Sequence, residues 1–275
     1  MPDAASPGRR RADPGGAGSG DPRPAAAPPT PGPPAGFPAR VRTLLDDLDA
    51  TSGEAVDAAA ALVLDSVEAG GIVHVAGAGH SLAMVFETFY RAGGLAAVRP
   101  IWDPGVVPLG DAVRSTRVER EAGVGRAVAR KAAPAPPDVA VVFSTSGRNP
   151  YPVEVAAECR ALGVPVIAVT SARASRGAAA RTETTLADHA EIVLDTRVPP
   201  GDVLHPAAAP RTAAASTILA AYAWSRVLAA LDDLAAARGA DPPRWTSANV
   251  PGGDEVNAAL LARYRHRVPE LTGDE

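Results

Sequence analysis

From residue 37 onward the apolar positions follow two alternating rhythms. "PARVRTLLDDL" places Val41, Leu44, Leu45 and Leu48 at helical spacing, with Pro38 near the start. "SGEAVDAAAALVLDSVEAGG" predicts a second helix, with Ser52 as N-cap and Gly70-Gly71 as its stop. Short, nearly continuous apolar runs then read as strands: "IVHVAG" (72–77), "VRPIW" (98–102), "VAVVFS" (139–144), "PVIAVT" (165–170) and "EIVLDT" (191–196). Between and after them the pattern predicts helices over 81–94, 115–132 (weakened by Gly123 and Gly125) and 152–163. An Ala-rich helix over about 208–237 and a last one from Asp254 complete the set. Strands without polar alternation, separated by helices, predict a parallel sheet covered on both faces. The right-handed crossover rule makes this a doubly wound α/β domain.

The first 36 residues have neither rhythm. They are dominated by Pro, Gly and Ala, cannot bury enough surface to offset their ordering entropy, and read as a disordered tail ahead of a domain over 37–267. The arginines at 9–11 read as solvated charge.

Composition narrows the chemistry. A net charge of −4 gives no footing for a nucleic-acid or anionic-membrane partner. Lys131 is the only lysine, which removes a Walker-type phosphate loop and disfavours a lysine Schiff base. Cys159 is the only cysteine and reads as packing. His189 and His205 are spaced too irregularly for a metal site, so no metal or other cofactor is expected. No apolar stretch approaches the ~20 residues of a membrane span, and no secretory signal is evident, so a cytoplasmic protein is expected.

Two strand ends stand out as polar: "GAGHS" (77–81) and "STSGRNP" (144–150). In a 2-1-3-4-5 strand order, the first and third strands are neighbours and their helices lie on opposite faces, so both loops border one crevice. The glycines allow close approach of the backbone, the following helices offer unpaired N–H groups, and Ser81, Ser144, Thr145 and Ser146 add hydroxyls. Such a cradle suits a phosphate without lysine. The competing readings are an ordinary capped turn for "STSG" and a dinucleotide fingerprint for "GAGHS", with Asp103 on the ribose. Leu82 stands against the fingerprint, because it occupies the position that needs Gly or Ala.

With both loops placed, "VHVAGAGHS", "VVFSTSGRNP" and "VIAVTS" resemble, in order, the sugar isomerase (SIS) domain family of phosphosugar isomerases and phosphosugar-binding proteins. The likeness is greatest to a bacterial subgroup with similar "GHS", "FYRAGG", "SGRNP" and "SAN-x-x-GGDE" segments. The resemblance implies a five-stranded αβα sandwich, usually homodimeric, that binds a sugar phosphate. By motif position it places phosphate on Ser144, Thr145, Ser146, Gly147 and Asn149. Gly79 and Ser81 lie in the first loop, and Thr170 and Ser171 at the next strand end.

Aldose–ketose isomerisation needs a base to move a proton between C1 and C2 and an acid for the oxygens. Glu87, on the helix leaving the first loop, resembles a glutamate used by some members of the family; its competing reading is an intrahelical pair with Arg91. His80 is placed to position or protonate a sugar oxygen, whereas His74 reads as a core histidine. Glu119 and Glu121 fall where related ether-cleaving lyases carry an acidic residue. "WTSANVPGGDEVN" (245–257) reads as a helix cap, or as a lid bringing Asn249 or Glu255 to substrate. An isomerase leads this reading. A non-catalytic sugar-phosphate sensor and an amino-sugar phosphate etherase are its rivals.

Overall fold

The computed structural model describes residues 36–271. The tail expected to be disordered, with the arginines at 9–11, lies outside them apart from Gly36.

Five strands form one parallel sheet: β1 (Val73–Gly77), β2 (Val98–Ile101), β3 (Val139–Phe143), β4 (Val166–Thr170) and β5 (Ile192–Asp195). Their order is β2-β1-β3-β4-β5, with Val73 aligned to Val98 on one side and Val139 on the other. The central strands β1, β3 and β4 are buried along their whole length, which is why they read as continuous apolar runs rather than alternating ones. One face is covered by α2 (Gly53–Glu68), α3 (Leu82–Thr88) and α8 (Ser216–Arg238). The other is covered by α5 (Val124–Ala132) and α6 (Pro150–Ala161). Outside the sandwich, α1 (Phe37–Thr51) packs Leu44 and Leu48 against Leu219 and Ala223 of α8 in a smaller apolar cluster.

Three expected helices are corrected. The one over 115–132 is two, α4 (Ala112–Glu119) and α5, because Gly123 turns the chain at φ +92°. The one over 81–94 ends at Thr88, with Tyr90 at φ +50°. The long Ala-rich helix begins at Ser216, not near 208. Before it, β6 (Val203–His205) and β7 (Thr212–Ala214) form an antiparallel hairpin. Conversely, the segment after β4, which carried no clear pattern, contains the short α7 (Ala172–Gly177).

The C-terminal segment docks on the loop ahead of β2. Trp245 N–H donates to the Gly94 carbonyl (2.9 Å), and Gly93 N–H donates to that of Trp245 (2.7 Å). Asn257, in α9 (Gly253–Tyr264), brackets Thr246 with two hydrogen bonds. Tyr90 stands edge-on to Trp245 at 4.8 Å between ring centres. The "FYRAGG" segment is therefore joined to Trp245, two residues ahead of "SAN-x-x-GGDE".

At the amino edge of the sheet, buried His74 meets buried Asp138 at 3.0 Å. Asp138 also accepts from the Ile72 and Ala135 amides and from Arg267. Cys159 is buried in the core, and burial, aided by the neighbouring Glu158 charge, pushes its thiol up to about 12, so it stays protonated.

Candidate functional site

A cleft of about 480 Å³ opens at the carboxyl edge of the sheet, within the ~300–1,000 Å³ usual for small-ligand sites. It lies where the strand order reverses between β1 and β3, the place that the topology assigns to a ligand. Its walls come from the 78–81 turn, the 144–146 loop, α4, α7 and the 200–202 turn with the start of α8.

The β1 turn is tight because Gly77 has no side chain: a β-carbon there would sit 2.6 Å from the Ser81 carbonyl oxygen, a backbone atom that cannot yield. The turn presents Gly79, His80 and Ser81 to the cleft. Across from it, Ser144, Thr145 and Ser146 also line the cleft. These three differ. The Ser144 hydroxyl accepts from the Gly147 N–H at 3.2 Å and holds the loop's own shape. Among the described residues, the Thr145 and Ser146 side chains make no hydrogen bond, so their hydroxyls are open to a ligand.

Three expected ligand contacts, Gly147, Ser171 and Asn149, are not among the residues that line the cleft. Gly147, at φ +58°, shapes the loop: a β-carbon there would press on Leu186 and Thr170 at 3.1 Å. Ser171 is fully buried; its hydroxyl donates to the Val198 carbonyl (2.7 Å) and accepts from the Ala174 N–H (3.2 Å), capping α7. Asn149 lies outside the lining, and its amide donates to Glu119.

The carboxylates separate clearly. Glu119 lines the cleft, whereas Glu87 does not. Six residues beyond Ser81, at about 1.5 Å per residue, carry Glu87 roughly 9 Å down the helix axis from the loop. There it pairs with Arg91 at 2.9 Å. Glu121 is likewise absent from the lining; it lies in the turn beyond α4, which ends at Glu119. Asn249 and Glu255 are not lining residues either, since their segment is held against the β2 loop. Among the described residues, no group of three or more His, Cys, Asp or Glu is placed to hold a metal, and no helix is long and apolar enough to cross a membrane.

The sequence reading missed the wall formed by Pro200, Gly201, Asp202, Ser216 and Thr217. Asp202, at φ +65°, accepts from the Ala215 and Ser216 amides and from the Ser216 hydroxyl, and so caps α8 from a distance. The signals were present: "PPGD" is a turn, and Pro206 and Pro210 argue against a helix starting near 208.

Fold and cleft together define a doubly wound domain built to hold a small polar ligand at its switch point. Comparison with known proteins gives the family. The SIS domain model matches residues 36–171. The chain is 39% identical over 222 residues to the UPF0309 protein SCO4393 of Streptomyces coelicolor, covering 78% of this chain and 88% of that one. It is 35% identical over 217 residues to the UPF0309 protein GK1441 of Geobacillus kaustophilus, covering 78% and 86% respectively. Among solved structures it is similar to the phosphoheptose isomerase GmhA of Neisseria gonorrhoeae, with TM-score 0.48 and 18% identity, over 72% of this chain and 94% of that one. The chain belongs to the SIS-domain proteins, within the UPF0309 group.

Proposed function

We propose that this protein binds a sugar phosphate in the switch-point cleft and interconverts its aldose and ketose forms. One observation carries the reading: open hydroxyls on the β3 loop and a carboxylate on α4 line the same cavity. The phosphate sits on Thr145 and Ser146, with Ser81 and the Gly79 turn opposite. Glu119, rather than the expected Glu87, moves the proton between C1 and C2. A carboxylate has the basicity to do so once bound substrate excludes water. His80, exposed in the cleft lining, serves the sugar oxygens. The chemistry calls for no cofactor. Homodimerisation in the cytoplasm is part of the reading; exposed Leu109 and Val113, next in sequence to the lining Pro108 and Ala112, support a covered face there.

The test is a thermal-shift panel of sugar phosphates, followed by NMR of the stabilising ones with enzyme in heavy water. Deuterium entering C1 or C2 with appearance of the ketose is the expected result. Binding without exchange would replace the isomerase with a sensor. Loss of a C3 ether substituent would replace it with a lyase that uses the same carboxylate.

A further inference from the structure

Asn149 occupies the N-cap of α6, where an asparagine side chain ordinarily accepts from a backbone N–H of the first turn. Here it makes no such bond. Part of the reason is local: Pro150 and Pro152 stand at the first and third helical positions and have no N–H to offer. The freed amide points elsewhere. Its Nδ2 donates to Glu119 Oε1 at 2.7 Å, and its Oδ1 accepts from Arg181 at 3.0 Å. A carboxylate only accepts and a guanidinium only donates, so this pair of partners fixes which way the amide faces.

We propose that Asn149 is the positioning residue for Glu119, oriented in turn by Arg181, and that it is not a phosphate contact. The inference rests on the reading of Glu119 as the proton-transfer group. With Oε1 held from the α6 side, the other carboxylate oxygen is directed toward the first loop. Glu119 Oε2 would lie 3.5 Å from a β-carbon built on Gly79. The sequence makes this arm cheap for the helix, because Pro152 at the third position removes one of the two amides that an N-cap side chain serves. The carboxylate sits on the short helix α4, which ends at Glu119 itself, so a brace from a neighbouring helix is what fixes its aim.

The experiment compares Asn149→Ala and Asn149→Gln with wild type on the sugar phosphate that the panel identifies, and on inorganic phosphate as a separate binding probe. Misaiming a catalytic group by about 1 Å costs on the order of 10²-fold. Asn149→Ala therefore lowers kcat by about that factor, while KM and phosphate affinity stay within twofold. Asn149→Gln, which keeps the amide, recovers part of the loss. A phosphate affinity that falls tenfold in Asn149→Ala, with kcat preserved, would overturn the proposal and restore Asn149 to the phosphate site. A wild type that turns over nothing would sink the reading of Glu119 as a proton-transfer group. The brace is then read directly from the side-chain carboxyl ¹³C resonance of Glu119, identified by its absence in Glu119→Gln. That resonance shifts in Asn149→Ala if the brace exists. If it does not shift, the brace is refuted.

Discussion

The two edges of the parallel sheet handle their polar groups in opposite ways. At the amino edge, Asp138 is 2% exposed and takes hydrogen bonds from His74, Arg267 and two amides, so its carboxylate has a partner on every side. At the carboxyl edge, among the described residues, Thr145 and Ser146 leave their hydroxyls unpaired in a cleft, and Glu119 is held through one oxygen only. A polar group satisfied within the chain contributes stability. One left open beside water and a cavity is available to a ligand. The same distinction sorts the hydroxyls of this edge: Ser144 and the buried Ser171 serve the fold, while Thr145 and Ser146 face the space.

The largest expected effect lies on the open side. Glu119→Gln keeps the shape but removes the base, and such groups contribute about 10²–10⁴-fold. We expect kcat to fall by that range, measured as deuterium incorporation at saturating substrate, with binding retained. Full turnover in the variant would remove Glu119 from the chemistry and blur the contrast between the edges.

The next effect lies on the closed side. Desolvation pushes the Asp138 carboxyl up, but the hydrogen bonds from His74, Ile72, Ala135 and Arg267 outweigh it and hold the group well below the usual carboxylate range. Asp138→Asn leaves an amide among donors. The cost is about 3 kcal/mol, the low end for breaking a buried pair, because Arg267 reaches solvent. The pH dependence follows from the sign of the shift. A depressed folded-state value contributes stability above the unfolded pKa of about 4, and that contribution is lost as pH falls toward the folded value. Denaturant unfolding from pH 6 to 3 therefore shows the gap between wild type and Asp138→Asn shrinking with acid. A gap independent of pH would mean that the carboxylate's charge contributes nothing to the fold.

A smaller effect tests the open hydroxyls. Ser146→Ala removes a bond to a charged ligand, about 1.5–3 kcal/mol. Sugar-phosphate affinity by calorimetry should fall roughly ten- to hundredfold, with thermal stability unchanged in the absence of ligand. Unchanged affinity would place the phosphate elsewhere in the cleft.

Much of this was legible in the sequence, and the gaps have physical causes. The sheet could be read because strands buried on both faces are written as apolar runs, and the two polar loops because polar residues at such strand ends are conspicuous. The hairpin at 203–214 was obscured because alanine suits a helix locally, whereas Pro206, Pro210 and the docking of Leu204 against α1 and α8 decide otherwise. Side-chain allegiance was hidden altogether. Nothing in "SGRNP" indicates that Asn149 turns to Glu119, thirty positions away in the chain, instead of to its own helix.

The smallest expected effect concerns the residue that motif position favoured as the base. Glu87 sits outside the cleft, partly exposed, paired at 2.9 Å with Arg91, which lies just beyond the end of α3. An exposed ion pair of this kind is worth about 0.2–1 kcal/mol. Glu87→Gln should therefore cost no more than that in urea unfolding and leave the exchange rate at the wild-type value. The pair of variants Glu87→Gln and Glu119→Gln thus sets two glutamates of one chain against each other under one assay. A tenfold fall in kcat for Glu87→Gln would bring that residue into the chemistry despite its place on the outer helix. The line between satisfied and open groups would then no longer predict function. An unchanged rate leaves the line where the hydrogen bonds draw it.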